Sequence, residues 1–246
     1  MHHTNQLPVE SYSHIVSRYK YLRHAGRVLN QLLVERLDKD MLHEGARKLG
    51  FLHKQTLVFH SEEESSILMD YCLYNVRRNG RNTFEQYLID TPPDSDPYEM
   101  LYLQATKHAT FSFINTEAIE RGLGIIARDL ITNETFLLAD IGLGSSAKKG
   151  LVLATRLIPI EGYRITGGAG IPLGILPDDT RDKLIEGFKT ILDFDVEDFD
   201  PADLIRSCLN AGYATTARYD PMPMGSVVRS RKNQRQRKRK RVKRRK

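Results

Sequence analysis

The sequence of 246 residues contains no tryptophan, only two cysteines and no long apolar run. Cys72 and Cys208 lie far apart in apolar surroundings, which is typical of reduced, buried thiols and argues against a disulfide framework or a zinc site. No stretch approaches the roughly 18 apolar residues of a membrane span, and the first thirty residues lack the apolar core of a secretory signal. We therefore expect a cytoplasmic protein with no membrane contact.

Acidic residues are absent from the C-terminal stretch RSRKNQRQRKRKRVKRRK at 229–246, which we call the basic tail. It holds thirteen of the 37 Lys and Arg residues, so the body before it has 24 bases against 31 Asp and Glu. The body thus has a net charge of about −7, although the whole chain has +6. The tail bases, all candidate nucleic-acid-binding residues, are Arg229, Arg231, Lys232, Arg235, Arg237, Lys238, Arg239, Lys240, Arg241, Lys243, Arg244, Arg245 and Lys246.

So many like charges repel one another and bury nothing apolar, so we expect the segment at 213–246 to be a disordered linker and tail. Close to nucleic acid the same charges release condensed counterions, which predicts salt-sensitive binding to RNA or DNA. The tail has no aromatic residue for base stacking, which indicates backbone attraction without sequence reading. A solubility or nuclear-targeting tail is the alternative.

Residues 1–90 form a predicted helical region. Apolar positions recur three or four residues apart over Ser11–Leu37, and shorter helical patterns follow at Asp38–Leu49 and after Ser61, where Ser61 and Glu64 match a capping box. The segment TPPDSDP at 91–97 has three prolines and marks the predicted boundary. A further helix is predicted at about 97–108.

The second predicted domain, 97–212, is rich in β-structure and has flanking helices. Ten of the seventeen glycines lie between Thr110 and Gly174, among short β-like runs without a long helical pattern between them. This spacing favours consecutive antiparallel strands at about 110–174. Two helical patterns follow after Leu176. The predicted fold class is α+β, with a helical N-terminal part, a small antiparallel β-barrel-like or curled-sheet segment, C-terminal helices and the disordered basic tail.

Two short motifs occur in ADIGLGSSAKK. Gly142, Gly144 and Ala147 match the G-x-G-x-x-A turn of dinucleotide-binding proteins, but Gly150 and the β-rich run after it leave no room for the required helix. We therefore predict a glycine-bearing β-turn and no cofactor. Ser145 and Lys148 match S-x-x-K, a pattern of serine hydrolases that common residues also form by chance. Lys148 and Lys149 are alternatively part of the polyanion surface.

The histidines are scattered and lack the spacing of metal ligands, so no metal is predicted. Asp129, Asp140 and Arg156 are the candidate site residues if the protein is an enzyme with a site in the glycine-rich β segment. Asp129 and Asp140 are expected near strand ends, where opposite charges pair across a ladder, so a structural role is favoured.

A resemblance to a known group of proteins covers about residues 35–175. The segment ARDLITNETFLLADIGLGSSAKKGLVLATRLIPIEGYRITGGAGIPL resembles a small β domain of uncharacterised bacterial proteins, some of which have a SEC-C zinc motif elsewhere. LHEGARKLGFL and SILMDYCLYNV resemble the helical part of such proteins. The likeness implies architecture and no activity, and the SEC-C cysteines are absent here, so that metal is not carried over.

The expected function is non-enzymatic binding, in which the basic tail associates non-specifically with RNA or DNA. A ribosome- or nucleoid-associated role fits the charge layout, with the acidic body binding a protein partner or limiting non-specific condensation. Two alternatives are an enzyme with its site in the β segment, and a protein–protein adaptor with an accessory basic tail.

Overall fold

The computed structural model describes residues 9–91, 96–192 and 200–211. Positions 92–95 of the predicted linker, and the linker and tail predicted at 213–246, lie outside these residues. The described helices are α1 (Val9–Val34), α2 (Lys39–Leu49), α3 (Glu62–Asn75), α4 (Thr83–Asp90), α5 (Pro97–Thr106), α6 (Ile141–Ser146), α7 (Asp178–Leu192) and α8 (Ala202–Ala211). The strands are β1 (Leu52–His53), β2 (Thr56–Leu57), β3 (Thr110–Glu120), β4 (Gly124–Asp129), β5 (Thr135–Ala139), β6 (Leu151–Ile160) and β7 (Tyr163–Ile175).

The helices begin and end where local chemistry satisfies their terminal backbone groups. Asp38 accepts from the Met41 N–H at the start of α2, and Gly50 ends that helix in the left-handed region at φ 83°. Ser61 accepts from the Glu64 N–H at the start of α3, as predicted, although the Glu64 carboxylate accepts from the His60 N–H. Helix α3 ends at Asn75, with Val76 in an extended conformation after it.

Strands β3 to β7 form one sheet that curls round until its ends meet, in the order β3-β4-β5-β7-β6 with β6 returning to β3. Four of the five pairings are antiparallel, as predicted, but β5 and β7 pair in parallel through only two residue pairs. Strand directions can alternate all the way round a ring only if the number of strands is even. Five strands therefore require one parallel neighbour, so the predicted antiparallel sheet is a mixed one.

The helices and the curled sheet share one hydrophobic core. Leu22 and Leu29 of α1, Leu68 and Tyr71 of α3 and Phe113 of β3 are all buried in it. A smaller cluster, which includes Ile114, Leu138, Leu143 and Leu153, lies on the other face of the sheet. The helices before Thr110 and the sheet that begins there are thus packed in one continuous core.

A buried ion pair also joins the helical region to the sheet. Asp70 of α3 accepts from Nε and Nη2 of Arg156 on β6, at 3.1 and 2.9 Å, both on Oδ2. The two side chains are only 2% and 3% exposed. Arg156 Nη2 also donates to Asn75 Oδ1 at 2.7 Å, and its guanidinium lies 4.3 Å from the centre of the Tyr74 ring. Charge pairing and packing therefore fix α3 against β6.

Candidate anion-binding site

Helix α1 has a basic face. Residues 11–34 include four Lys or Arg and no Asp or Glu, in a body that is otherwise acidic. Arg23 and Arg27 are four residues apart, as are Lys20 and His24, so successive turns of the helix bring each pair to the same side. Arg23 is half-buried, and the other three side chains are exposed.

This face forms one wall of a cleft of about 350 Å³ whose other wall is α6, and we call it the α1–α6 cleft. Among the described residues, three Lys or Arg side chains, one histidine and one carboxylate line it. Its lining residues are Tyr19, Lys20, Arg23, His24, Arg27, Asp140, Ile141, Gly142, Leu143 and Ser145.

Helix α6 occupies the segment that we predicted as a β-turn. Asp140 accepts from the Leu143 N–H at its start, which makes ADIGLGSSA a short helix instead. Gly144 lies against β4, because a Cβ there would be only 2.8 Å from the Gly124 nitrogen. Gly144, one of the two glycines that match the dinucleotide motif, therefore allows close packing of α6 on β4. Helix α6 ends at Ser146 and β6 begins at Leu151, so the long helix that the motif requires does not follow.

The S-x-x-K match also has local structural contacts. Ser145 Oγ donates to the Ile141 carbonyl at 2.9 Å, and Ser146 Oγ donates to the Gly142 carbonyl at the same distance. Both hydroxyls are thus bonded within the helix, one turn back along the chain. This arrangement gives Ser145 the contacts of an ordinary helix residue.

The carboxylate in the cleft is turned inward. Asp140 is 7% exposed, and both of its oxygens have partners: Oδ1 accepts from Leu143 N–H at 3.1 Å and Oδ2 accepts from Thr166 Oγ1 at 2.8 Å. Next to it, burial raises the pKa of the Tyr19 hydroxyl to about 12, and the charge of Asp140 adds to the rise. Tyr19 is therefore protonated at neutral pH, and the cleft has an excess of positive charge.

Both walls of the cleft are bonded to β7. From α1, Arg23 Nη1 donates to the Thr166 carbonyl at 3.5 Å and Asn30 Nδ2 donates to the Gly167 carbonyl at 3.4 Å. From the α6 side, Asp140 accepts from the Thr166 hydroxyl. The spacing of the walls is thus fixed by the same two residues of one strand.

The structure places the three candidate residues Asp129, Asp140 and Arg156 in three separate contacts. Asp129 Oδ1 accepts from the backbone N–H groups of Ile131 and Thr132 in the β4–β5 turn, and its Oδ2 lies 4.0 Å from Arg164. Asp140 starts α6, and Arg156 pairs with Asp70. Of the three, only Asp140 lines the α1–α6 cleft.

Burial of the ion pair shifts the pKa of Asp70, the partner of Arg156. Burial raises the pKa of the Asp70 carboxyl, because desolvation outweighs the opposing effect of Arg156. The other oxygen, Oδ1, is buried and has no hydrogen-bond partner among the described residues. Since this pair lies in the core that joins α3 to β6, its geometry is that of a structural contact.

The cysteines are buried, as the sequence indicates, and burial raises the pKa of both thiols to about 12. Both are therefore protonated at neutral pH and poor nucleophiles. Within the described ranges, no three His, Cys, Asp or Glu side chains are grouped as metal ligands, and no helix is long and apolar enough to cross a membrane. The thirteen tail bases lie outside the described residues.

Sequence reasoning did not single out Lys20, Arg23, His24 and Arg27. The signal was present, because a stretch of 24 residues without an acid is unusual in a body with excess negative charge. The other wall of the α1–α6 cleft was not predicted, because α6 is only six residues long and has no apolar periodicity.

The chain belongs to a family of unknown function, DUF7986, whose model matches residues 13–196. The match includes α1 from residue 13 onward, α6 and the whole curled sheet, and therefore both walls of the cleft. This match agrees with the resemblance, noted from the sequence, to uncharacterised proteins that have a helical part and a small β domain. No curated protein and no solved structure matches the chain.

Proposed function

We propose that this member of the family is a non-enzymatic nucleic-acid-binding protein whose basic tail associates with RNA or DNA without reading sequence. The observation behind the proposal is the charge of the tail, thirteen Lys or Arg in residues 229–246 and no acid. A ribosome- or nucleoid-associated protein of the cytoplasm would have this layout, and the acidic body would bind a protein partner or limit non-specific condensation.

The folded body supports the proposal in one respect. Its N-terminal helix presents a basic face, although the body as a whole has about seven more acids than bases. Positive charge is thus concentrated in two places, the tail and α1. The structural contacts of Asp129 and Arg156, and the inward contacts of Asp140, favour binding over the enzyme alternative.

The test compares three full-length proteins: the wild type, a variant with all thirteen tail bases changed to glutamine, and a variant with a shuffled tail. Binding to mixed-sequence single-stranded RNA and duplex DNA is followed by fluorescence anisotropy over a range of salt concentrations. With six to ten phosphates engaged, wild-type affinity should fall about 10³- to 10⁵-fold between about 50 and 200 mM salt.

The shuffled tail should bind as tightly as the wild type, because attraction to the phosphate backbone does not depend on residue order. The glutamine tail should lose the salt-sensitive binding. Equal binding by the glutamine variant would overturn the proposal. Crosslinking in native extract, followed by sequencing of the attached nucleic acid, then distinguishes RNA from DNA.

A further inference from the structure

We infer that the α1–α6 cleft is a binding site for a phosphate monoester on a ligand about the size of one nucleotide. This inference goes beyond the proposed function, because the site lies in the folded body and does not require the tail. It depends on the shape of the cleft, the charges that line it and the contacts that hold its walls.

The charges favour an anion. Lys20, Arg23 and Arg27 line the cleft with His24, whereas Asp140 is the single carboxylate among the described lining residues. The oxygens of Asp140 are used by the Leu143 N–H and the Thr166 hydroxyl, so they are directed into the protein. Lys and Arg form their strongest hydrogen bonds with carboxylate and phosphate oxygens, which predicts a ligand with a compact negative charge.

The size favours a small ligand. A volume of about 350 Å³ lies near the lower end of the range for small-molecule sites, roughly 300 to 1,000 Å³. A phosphate monoester attached to one nucleoside or sugar fits such a space, whereas a duplex does not. A monoester is also more strongly charged than the diester of an internal nucleotide, so it suits a site with three bases.

The contacts favour a pre-formed site. Arg23 and Asn30 bond α1 to the carbonyls of Thr166 and Gly167, and Asp140 bonds the start of α6 to the Thr166 side chain. Both walls are thus held by adjacent residues of β7 before any ligand enters. A ligand that meets fixed walls loses less free energy to ordering of the protein on binding.

The test uses the full chain and adenosine monophosphate, with adenosine as the uncharged comparison. Binding is measured by calorimetry, and the site is located by the shifts of backbone amide resonances in α1 and α6. We expect adenosine monophosphate to shift the amides of Gly142 and Gly144, and adenosine to leave them unchanged. Lys20→Gln and Arg27→Gln should each weaken binding about tenfold or more, as expected for one lost hydrogen bond to a charged group.

The matched control is Arg47→Gln, which removes an exposed base of α2 outside the cleft and should not change the affinity. Ser145→Phe keeps every charge and places a ring at the exposed rim, so it should block the ligand while circular dichroism shows a folded protein. Equal affinity of the wild type, Arg27→Gln and Ser145→Phe would overturn the inference, as would amide shifts that are confined to the tail.

A second arm identifies the source of the monoester. A short oligonucleotide with a 5′-phosphate is compared with the same oligonucleotide with a 5′-hydroxyl and with adenosine monophosphate. This comparison uses the full-length variant with the glutamine tail, because the wild-type tail is proposed to bind any oligonucleotide. Tighter binding of the 5′-phosphorylated strand than of the nucleotide supports the end of a nucleic acid, and equal binding of the two supports a free nucleotide. If the 5′-hydroxyl strand shifts the α6 amides as strongly, the monoester preference is wrong. The glutamine tail tests the proposed function separately, because it leaves the cleft unchanged.

Discussion

Replacement of Asp70 by alanine tests the account of the buried ion pair. The change removes the carboxylate that accepts two hydrogen bonds from Arg156, a side chain that is only 3% exposed. Asn75 Oδ1 and the Tyr74 ring remain beside the guanidinium, but no other carboxylate of the described residues pairs with it. Loss of one partner from a buried pair costs about 3–5 kcal/mol, a large part of the roughly 5–15 kcal/mol that stabilises a typical domain.

Urea unfolding followed by circular dichroism measures this loss. With an m value of about 2 kcal/mol per M, the midpoint should fall by about 1.5 to 2.5 M. The double variant Asp70→Leu with Arg156→Met replaces both charges by apolar side chains and should be much closer to the wild type, because no charge is left unpaired. If Asp70→Ala costs less than about 1 kcal/mol, or if the double variant is less stable than the single one, the reasoning is refuted.

Two further predictions concern the contacts around β7. Gly167→Ala should lower the free energy of unfolding by about 1–3 kcal/mol, because the new Cβ would lie 2.9 Å from Arg156 Cβ. Gly187→Ala should not be destabilising, because no described atom lies within 4 Å of the new Cβ and alanine favours a helix more than glycine does. Urea midpoints compare the two variants. Asp140→Asn should tighten binding of adenosine monophosphate, since it removes a negative charge from the cleft, and should lower stability by about 1 kcal/mol through a weaker bond to Thr166. Calorimetry and thermal unfolding measure the two effects, and weaker nucleotide binding by this variant would contradict the anion site.

Much of the helical region could be predicted from the sequence, because its signals are local. The apolar stripe of α1, the cap at Asp38, the terminal Gly50 and the cap at Ser61 all lie within a few residues of the helices that they define. Helix α4 was not predicted, although Asn82 and Glu85 form a complete capping box, because α4 is only eight residues long. Short helices give too few turns for a periodic pattern.

The β-strands could also be predicted, but their pairing could not. Alternating runs and glycine turns indicate where strands lie, whereas the parallel β5–β7 pair depends on closure of the ring by an odd number of strands. The ion pair between Asp70 and Arg156 joins residues that are far apart in the sequence, so no local pattern indicates it. The cleft depends in the same way on the approach of α1 and α6, which are also distant in the sequence.

The hydrogen bond between Asp140 and Thr166 has a consequence for variation at the cleft. Strand β5 ends at Ala139, and its last parallel partner is Ile165, so this side-chain bond extends the short seam between β5 and β7 by one residue on each strand. The Asp140 carboxylate thus stabilises the contact between β5 and β7, and its negative charge lowers the positive potential of the cleft. Removal of this charge by mutation would therefore favour an anion but weaken closure of the sheet, whereas a positive charge added on α1 or α6 would favour an anion without loss of this bond.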